Sequence, residues 1–315
     1  MLLFNVTPVI EVEGLSRTYG ERTALAGVSF AVRPGEVFGL LGPNGGGKTT
    51  LFRVLATLLP PSQGSARVFG MDVVRDADAI RRRIGVVFQE PALDRHLTVA
   101  ENLRHQGHLY GLSGRGLRAR MEEALSRLGL WERRDDLVSR LSGGLRRRAD
   151  LARGALHGPD LLLLDEASTG LDPAARRDFR EGLHRLREQD GVTILLTTHL
   201  MDEAEGCDRV AILDGGRLVA LDSPEALRRS VGGEVIRVQA EAPGRFQQEV
   251  RERFGLEAQV IDGAVRVTCE DGQGVMLGLL RAFGEQIASI TLSRPTLEDV
   301  FIAKTGHRFQ EARES

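Results

Sequence analysis

Apolar and polar residues alternate along VIEVEG (9–14) and VSFAVR (28–33), the period of a half-buried strand. EVFGLLG (36–42) is more continuously apolar and runs into a glycine-rich turn. Thr49, Thr50, Leu51, Val54, Leu55 and Leu58 then recur at helical spacing, and Pro60-Pro61 ends that helix. IGVVFQ (84–89) reads as another buried strand. From about Leu93 to Gly158 the texture changes: Met121, Leu125 and Leu128 recur at three and four with charges between them, which predicts a helical insert. Two nearly all-apolar runs follow, LLLL (161–164) and VTILLTT (192–198), separated by a helix with Phe179, Leu183 and Leu186 on one face. Strand, helix, strand with fully buried strands predicts a parallel sheet covered on both faces. RVAIL (209–213), Asp214-Gly215-Gly216 and RLVAL (217–221) predict a hairpin.

Past Val231-Gly232-Gly233 the pattern restarts. EVIRVQ, RFQQEVRERF, AQVID, AVRVTC, GVMLGLLRAF and IASITL read as strand, helix, strand, strand, helix, strand. That is the βαββαβ order of a small ferredoxin-like unit. The expected organisation is an α/β domain over 1–230 with its helical subdomain at about 93–158, a small α+β domain over 231–305, and a tail over 306–315.

Composition narrows the class. The 42 basic residues balance 44 acidic ones, for a formal net charge of −2. A protein that coats nucleic acid usually shows a basic excess, so none is expected as a partner. No apolar run approaches the roughly 18 residues of a membrane span. No basic segment precedes the apolar start MLLFNV, which argues against a signal peptide. Cys207 and Cys269 lack metal-ligand spacing and read as reduced thiols. The bases are 40 arginines and two lysines, Lys48 and Lys304. A surviving lysine in so arginine-biased a chain asks what arginine could not do there.

Lys48 answers it. Residues 42–49 read GPNGGGKT, the G-x-x-x-x-G-K-[ST] phosphate loop, built of Gly42, Pro43, Asn44, Gly45, Gly46, Gly47, Lys48 and Thr49, with Thr50 next. Such a loop points backbone N–H groups at phosphate oxygens, and the following helix adds its positive N-terminus. Lys48 supplies a slender stem and a point charge where a planar guanidinium does not fit. Thr49 offers a hydroxyl to Mg²⁺. LLLLDE (161–166) carries Asp165 and Glu166 to the carboxyl edge of the sheet, where ligands of open α/β sheets bind. Asp165 suits Mg²⁺, and Glu166 is placed to polarise an attacking water. His199 ends the second apolar strand at the same edge, and Gln89 ends the third, with an amide oxygen for Mg²⁺ or water.

LSGG (141–144), followed by LRRRADLARGAL, completes a series: Tyr19, GPNGGGKTT, Gln89, LSGG, LLLLDE, STGLD and His199. In that order these residues resemble the ATP-binding-cassette (ABC) ATPases over about residues 9–225. The resemblance implies an ABC-type P-loop ATPase core that binds ATP and Mg²⁺. It implies that Tyr19 stacks on adenine and that Gln89 links Mg²⁺ to the transport partner. Glu166 matches the catalytic base and His199 the switch histidine. Ser142, Gly143 and Gly144 match the loop that binds the γ-phosphate of ATP held by a second copy, and Asp172 the loop that crosses the dimer interface. Three departures stand out. Gly46 replaces a common Ser or Ala, which should loosen the loop slightly. Leu145 follows LSGG where Gln or another longer residue is frequent, and Ala167-Ser168 replaces a common Pro-Thr pair. Arg146-Arg147-Arg148 spreads over several helix faces and reads as a solvated or acid-paired surface.

RPTLEDVFIAKTG (294–306) and VVFQEPALDRHLTVAENL (86–103) are similar to segments of the ATP-binding subunits of the daunorubicin/doxorubicin resistance exporter group. This implies an exporter subunit with an integral membrane permease on separate chains, a homodimer on ATP binding, and a cytoplasmic location on the inner face of the membrane. The alternative is a soluble ABC ATPase of translation or DNA repair. Read as plain local structure, Pro295–Phe301 is a helix start with Thr296 as cap and Leu297, Val300 and Phe301 packed inward. Lys304 reads as a surface residue near that helix's end.

Overall fold

A computed structural model of the protein describes residues 7–309. These divide into two compact units between Leu218 and Val219.

The first unit opens with β1 (Ile10–Tyr19) and β2 (Arg22–Val32), an antiparallel hairpin in which Tyr19 faces Arg22. β3 (Val37–Leu41) is buried throughout and feeds α1 (Lys48–Leu55). β4 (Gln63–Val68) and β5 (Met71–Asp72) extend the hairpin into a four-stranded sheet of order β2-β1-β4-β5. α2 (Ala77–Arg81) and β6 (Ile84–Val87) follow. The helical insert holds α3 (Val99–Leu109), α4 (Gly114–Arg127) and α5 (Gly143–Ala155). α3 starts at a capping box in which Thr98 and Glu101 exchange side-chain and backbone bonds. β7 (Leu161–Asp165), α6 (Pro173–Asp190), β8 (Thr193–Thr198), α7 (Met201–Ala204) and β9 (Arg209–Asp214) follow, and the division falls within the next strand, β10 (Arg217–Asp222).

The second sheet has six strands in the order β10-β9-β3-β8-β7-β6. β9, β3, β8, β7 and β6 run parallel, so the apolar runs at 161–164 and 193–198 lie side by side in its interior. β9 and β10 are joined by Gly215 and Gly216, both at positive φ, as a two-residue hairpin loop requires. β6 stops at Val87, so Gln89 lies two residues past the strand rather than at its end, and is exposed.

The second unit contains α8 (Pro224–Arg229), β11 (Glu234–Ala240), α9 (Pro243–Phe254), β12 (Ala258–Ile261), β13 (Ala264–Cys269), α10 (Gly272–Phe283), β14 (Ile287–Ser293) and α11 (Leu297–Thr305). Its antiparallel sheet has the order β12-β13-β11-β14, the ferredoxin-like arrangement. Ile236, Val238, Val265 and Val267 form one face and pack with Phe246, Val250, Leu279 and Phe283 of the two long helices. Arg266 points to the other face yet is buried, because Asp299 of α11 meets it at 3.3 Å. The Thr296–Asp299 capping box, with Leu297, Val300 and Phe301 buried, is the local structure the sequence suggested for this helix. α8 packs on α11, which moves the division upstream of the 230 expected from sequence. Of the expected tail, residues 310–315 lie outside the described residues.

Candidate active site

The glycine-rich turn after β3 is shaped by close backbone packing. Gly47 is the N-cap of α1 at φ 99°, and a Cβ there would lie 2.7 Å from the Ala24 carbonyl oxygen, so only glycine fits. At Gly46 a Cβ would lie 3.0 Å from the Pro43 carbonyl oxygen and 3.3 Å from that of Leu213. A side chain at this position would therefore make tight contacts with two backbone carbonyls. Lys48 is 4% exposed, and its ammonium donates to the carbonyl oxygens of Gly42 (2.7 Å) and Pro43 (3.0 Å). It also lies 3.2 Å from Glu166 Oε1. Burial lowers the Lys48 pKa, and the Glu166 carboxylate opposes that shift.

β7 ends in Asp165, and Glu166 follows at φ +44°, a left-handed conformation uncommon for a residue with a side chain. Strain of this kind persists only where the surroundings fix it. Glu166 N–H donates to Thr197 Oγ1 (3.0 Å), and Thr197 Oγ1 donates to Asp165 Oδ1 (2.6 Å). Thr49 Oγ1 lies 3.5 Å from the same Asp165 oxygen. Burial pushes the Asp165 carboxyl up, and the Thr197 hydrogen bond opposes it. His199 Nδ1 lies 3.1 Å from Glu166 Oε2. Lys48, Thr49, Asp165, Glu166 and His199 thus converge, and Glu166 holds a cation on one oxygen and an imidazole on the other.

The remaining expected site residues are placed as follows. Tyr19 is 42% exposed at the end of β1, with the Arg17 guanidinium 5.0 Å from its ring centroid. Ser142 and Gly143 are exposed at the start of α5, where Ser142 caps the helix by accepting from Leu145 N–H at 3.3 Å. Asp172 caps α6, accepting from the N–H groups of Ala174 (3.0 Å) and Ala175 (2.9 Å). Gly144 lies between these helices: a Cβ on it would meet Ala175 Cβ at 2.7 Å.

Sequence reasoning missed part of the polar core behind the site. Arg147 is not on the surface: it is 3% exposed, and its Nε donates to the Ala167 carbonyl oxygen. Its Nη1 faces fully buried Asp150 at 3.5 Å. Asp150 also accepts from Arg153 Nε (2.8 Å) and Ala92 N–H (3.3 Å). The available signal was a charge pair three apart within the apolar stripe Ala149, Leu151 and Ala152. Glu203 was missed as well. It accepts from Ser168 Oγ and from Thr198 Oγ1 (2.5 Å).

A phosphate loop opening a helix and an acidic strand end on one parallel sheet define a P-loop nucleotide triphosphatase. The family model described as ABC transporter matches residues 25–169. The chain is 39% identical to the daunorubicin resistance ATP-binding protein DrrA2 of Streptomyces coeruleorubidus, covering 97% of this chain and 98% of that protein. It is 44% identical to the Nod factor export ATP-binding protein I of Ralstonia nicotianae (strain ATCC BAA-1114 / GMI1000), covering 97% and 96%. Among solved structures, cbiO1 from Clostridium perfringens, part of the ABC transporter complex cbiONQ, aligns with a TM-score of 0.66 at 27% identity, over 79% of this chain and 96% of that one. The dimeric cassette MJ0796 bound to ADP and Pi aligns with a TM-score of 0.62 at 27% identity, over 68% and 98%. The chain belongs to the ABC transporter family as an ATP-binding protein, and its activity is ATP hydrolysis.

Proposed function

We propose that this chain drives export through a separate membrane permease, hydrolysing MgATP in a head-to-tail dimer of two copies. The observation that carries the reading is Glu166, set between Lys48 (3.2 Å) and His199 (3.1 Å) at the edge where the phosphate loop opens. The exporter assignment draws on relatives named for daunorubicin resistance and Nod factor export. Among the described residues no helix is long and apolar enough to cross a membrane, which fits a permease on other chains. The translation or repair alternative has no counterpart among the relatives named above.

The backbone amides of 42–49 and the N-terminus of α1 cradle the phosphates, and Tyr19 stacks on the adenine. Lys48 leaves Glu166 for the β- and γ-phosphates, freeing the carboxylate to accept a proton from the attacking water. His199 orients that water and the γ-phosphate. Ser142, Gly143 and Gly144 serve the γ-phosphate of the other copy, and Asp172 lies on the loop between the copies. Thr49 and Asp165 are hard oxygen donors 3.5 Å apart, a set suited to Mg²⁺. Gln89 would join them. Mg²⁺ there supplies charge neutralisation for the transferring phosphoryl group.

Lys48→Ala is expected to abolish ATPase activity. Glu166→Gln is expected to lower kcat by at least about a hundredfold, the lower range for removal of a general base, while retaining ATP. Phosphate release and nucleotide retention measure both. Wild-type hydrolysis in Glu166→Gln refutes the base assignment.

A further inference from the structure

The chain segments that carry Glu166 and His199 are tied together by the side chains of Ser168, Thr198, Glu203 and Arg147. Ser168, two residues after Glu166, donates its hydroxyl to Glu203 Oε1 and is 2% exposed. Thr198, one residue before His199, donates to Glu203 Oε2 at 2.5 Å, and its own hydroxyl accepts from Leu200 N–H at 2.9 Å. One carboxylate on α7 therefore fixes both chain segments that carry the pair. A third restraint comes from α5, whose Arg147 Nε donates to the carbonyl oxygen of Ala167, directly after Glu166. Arg147 is itself countered by Asp150. Glu166 needs such restraint, since its φ of +44° relaxes readily unless the chain on either side is fixed.

We propose that Ser168 and Glu203 are positioning residues for ATP hydrolysis, setting the Glu166–His199 geometry, and that Arg147 ties this setting to the helix that begins at the LSGG loop. The proposal rests on Glu166 being the base. It assigns a role to Ser168, where the ABC resemblance leads one to expect threonine. Ser168 also lines a cavity of about 40 Å³ together with Thr197, Glu203 and Cys207. Its hydroxyl, which bonds Glu203, is the part of the side chain to which the proposal gives the role.

The test uses the full-length chain and steady-state phosphate release, with ATP affinity measured by equilibrium binding. Ser168→Ala and Glu203→Ala are expected to lower kcat by about tenfold, below the hundredfold or so that misplacing a reacting group by an ångström costs. KM and ATP affinity stay at the wild-type value. Ser168→Thr restores kcat, and the double variant Ser168→Ala/Glu203→Ala is no worse than Glu203→Ala alone, as expected of one coupled unit. Arg147→Met lowers kcat in the same way. Wild-type kcat in Ser168→Ala overturns the proposal, and so does a loss of rate that tracks lost ATP affinity or that Ser168→Thr fails to restore. Should Glu203→Ala fail to fold, the Ser168 pair of variants decides alone. Glu166→Gln separates the two levels. An active Glu166→Gln defeats the base assignment, whereas an inactive one beside a normal Ser168→Ala defeats only the positioning role.

Discussion

At the scale of single residues, the chain uses atoms where space is shortest. Gly144 is read from sequence as part of a γ-phosphate loop, but its own structure shows a packing role too. A Cβ there would meet Ala175 Cβ at 2.7 Å, far inside contact distance, and both atoms belong to helix starts. Gly144→Ala must push α5 from α6 and is expected to destabilise the fold by about 1–3 kcal/mol, the usual cost of overpacking. Gly143 offers a control, because a Cβ on it has nothing within 4 Å among the described residues. Gly143→Ala should melt with the wild type. Urea unfolding of the two variants checks the contrast. The phosphate loop, the acidic pair and His199 were legible because each has a fixed spacing or a fixed place at a strand end. Arg147 was not, since three consecutive arginines look alike in sequence and only the packing of α5 decides which of them is buried. Glu203 was hidden for a similar reason: it joins Thr198, five residues before it, to Ser168, which is 35 residues away in the chain.

At the scale of elements, periodicity predicted the strands that are buried on both faces and missed those that are short or polar. β4 and β5 carry no apolar alternation long enough to register, and α7 is only four residues. Its length leaves it dependent on tertiary bonds such as those made by Glu203. The end of α5 shows how such bonds respond to pH. His157 stacks on Tyr110 with ring centroids 3.8 Å apart, and its Nε2 lies 3.1 Å from the Ile84 carbonyl oxygen. Among the described residues Nδ1 is buried without a partner, so the imidazolium would bury an N–H with no acceptor. Burial lowers its pKa from 6.5 to about 4. The unfolded chain thus binds this proton at higher pH than the folded one. The stabilisation is complete above pH 6.5 and is lost as pH falls towards 4, by up to about 3 kcal/mol. Asp150, whose carboxyl burial pushes up, acts in the opposite sense on the acid side. The difference between wild type and His157→Phe therefore isolates the histidine. Tm measured from pH 7.5 down should fall less steeply in the variant, and parallel curves would refute the assignment.

At the scale of the whole molecule, the sequence order βαββαβ was enough to anticipate the small C-terminal sheet, because its two helices and its longer strands show their periods. The burial of Arg266 beneath α11 was not legible, since it takes Asp299 from another element to make the site habitable for a charge. The proposed dimer makes the sharpest demand on the complete chain, because each ATP would then draw on two copies: one supplies Lys48 and Glu166, the other Ser142, Gly143 and Gly144. Two inactive variants should therefore rescue each other. Lys48→Ala removes the phosphate-binding charge from one copy. Gly143→Asp places a like charge where the γ-phosphate would lie in the other copy's site, at a position with open space around it, so the fold survives. In a heterodimer of the two, one site combines both lesions and the other has neither. Random pairing at equal concentration leaves about a quarter of the wild-type number of intact sites, since half of the dimers are mixed and each mixed dimer holds one good site. Each variant alone should show no ATPase activity, and the mixture should regain a rate of that order which rises with total protein as dimers form. A mixture as inactive as its components would place the LSGG loop in the service of its own copy's nucleotide and refute the head-to-tail arrangement.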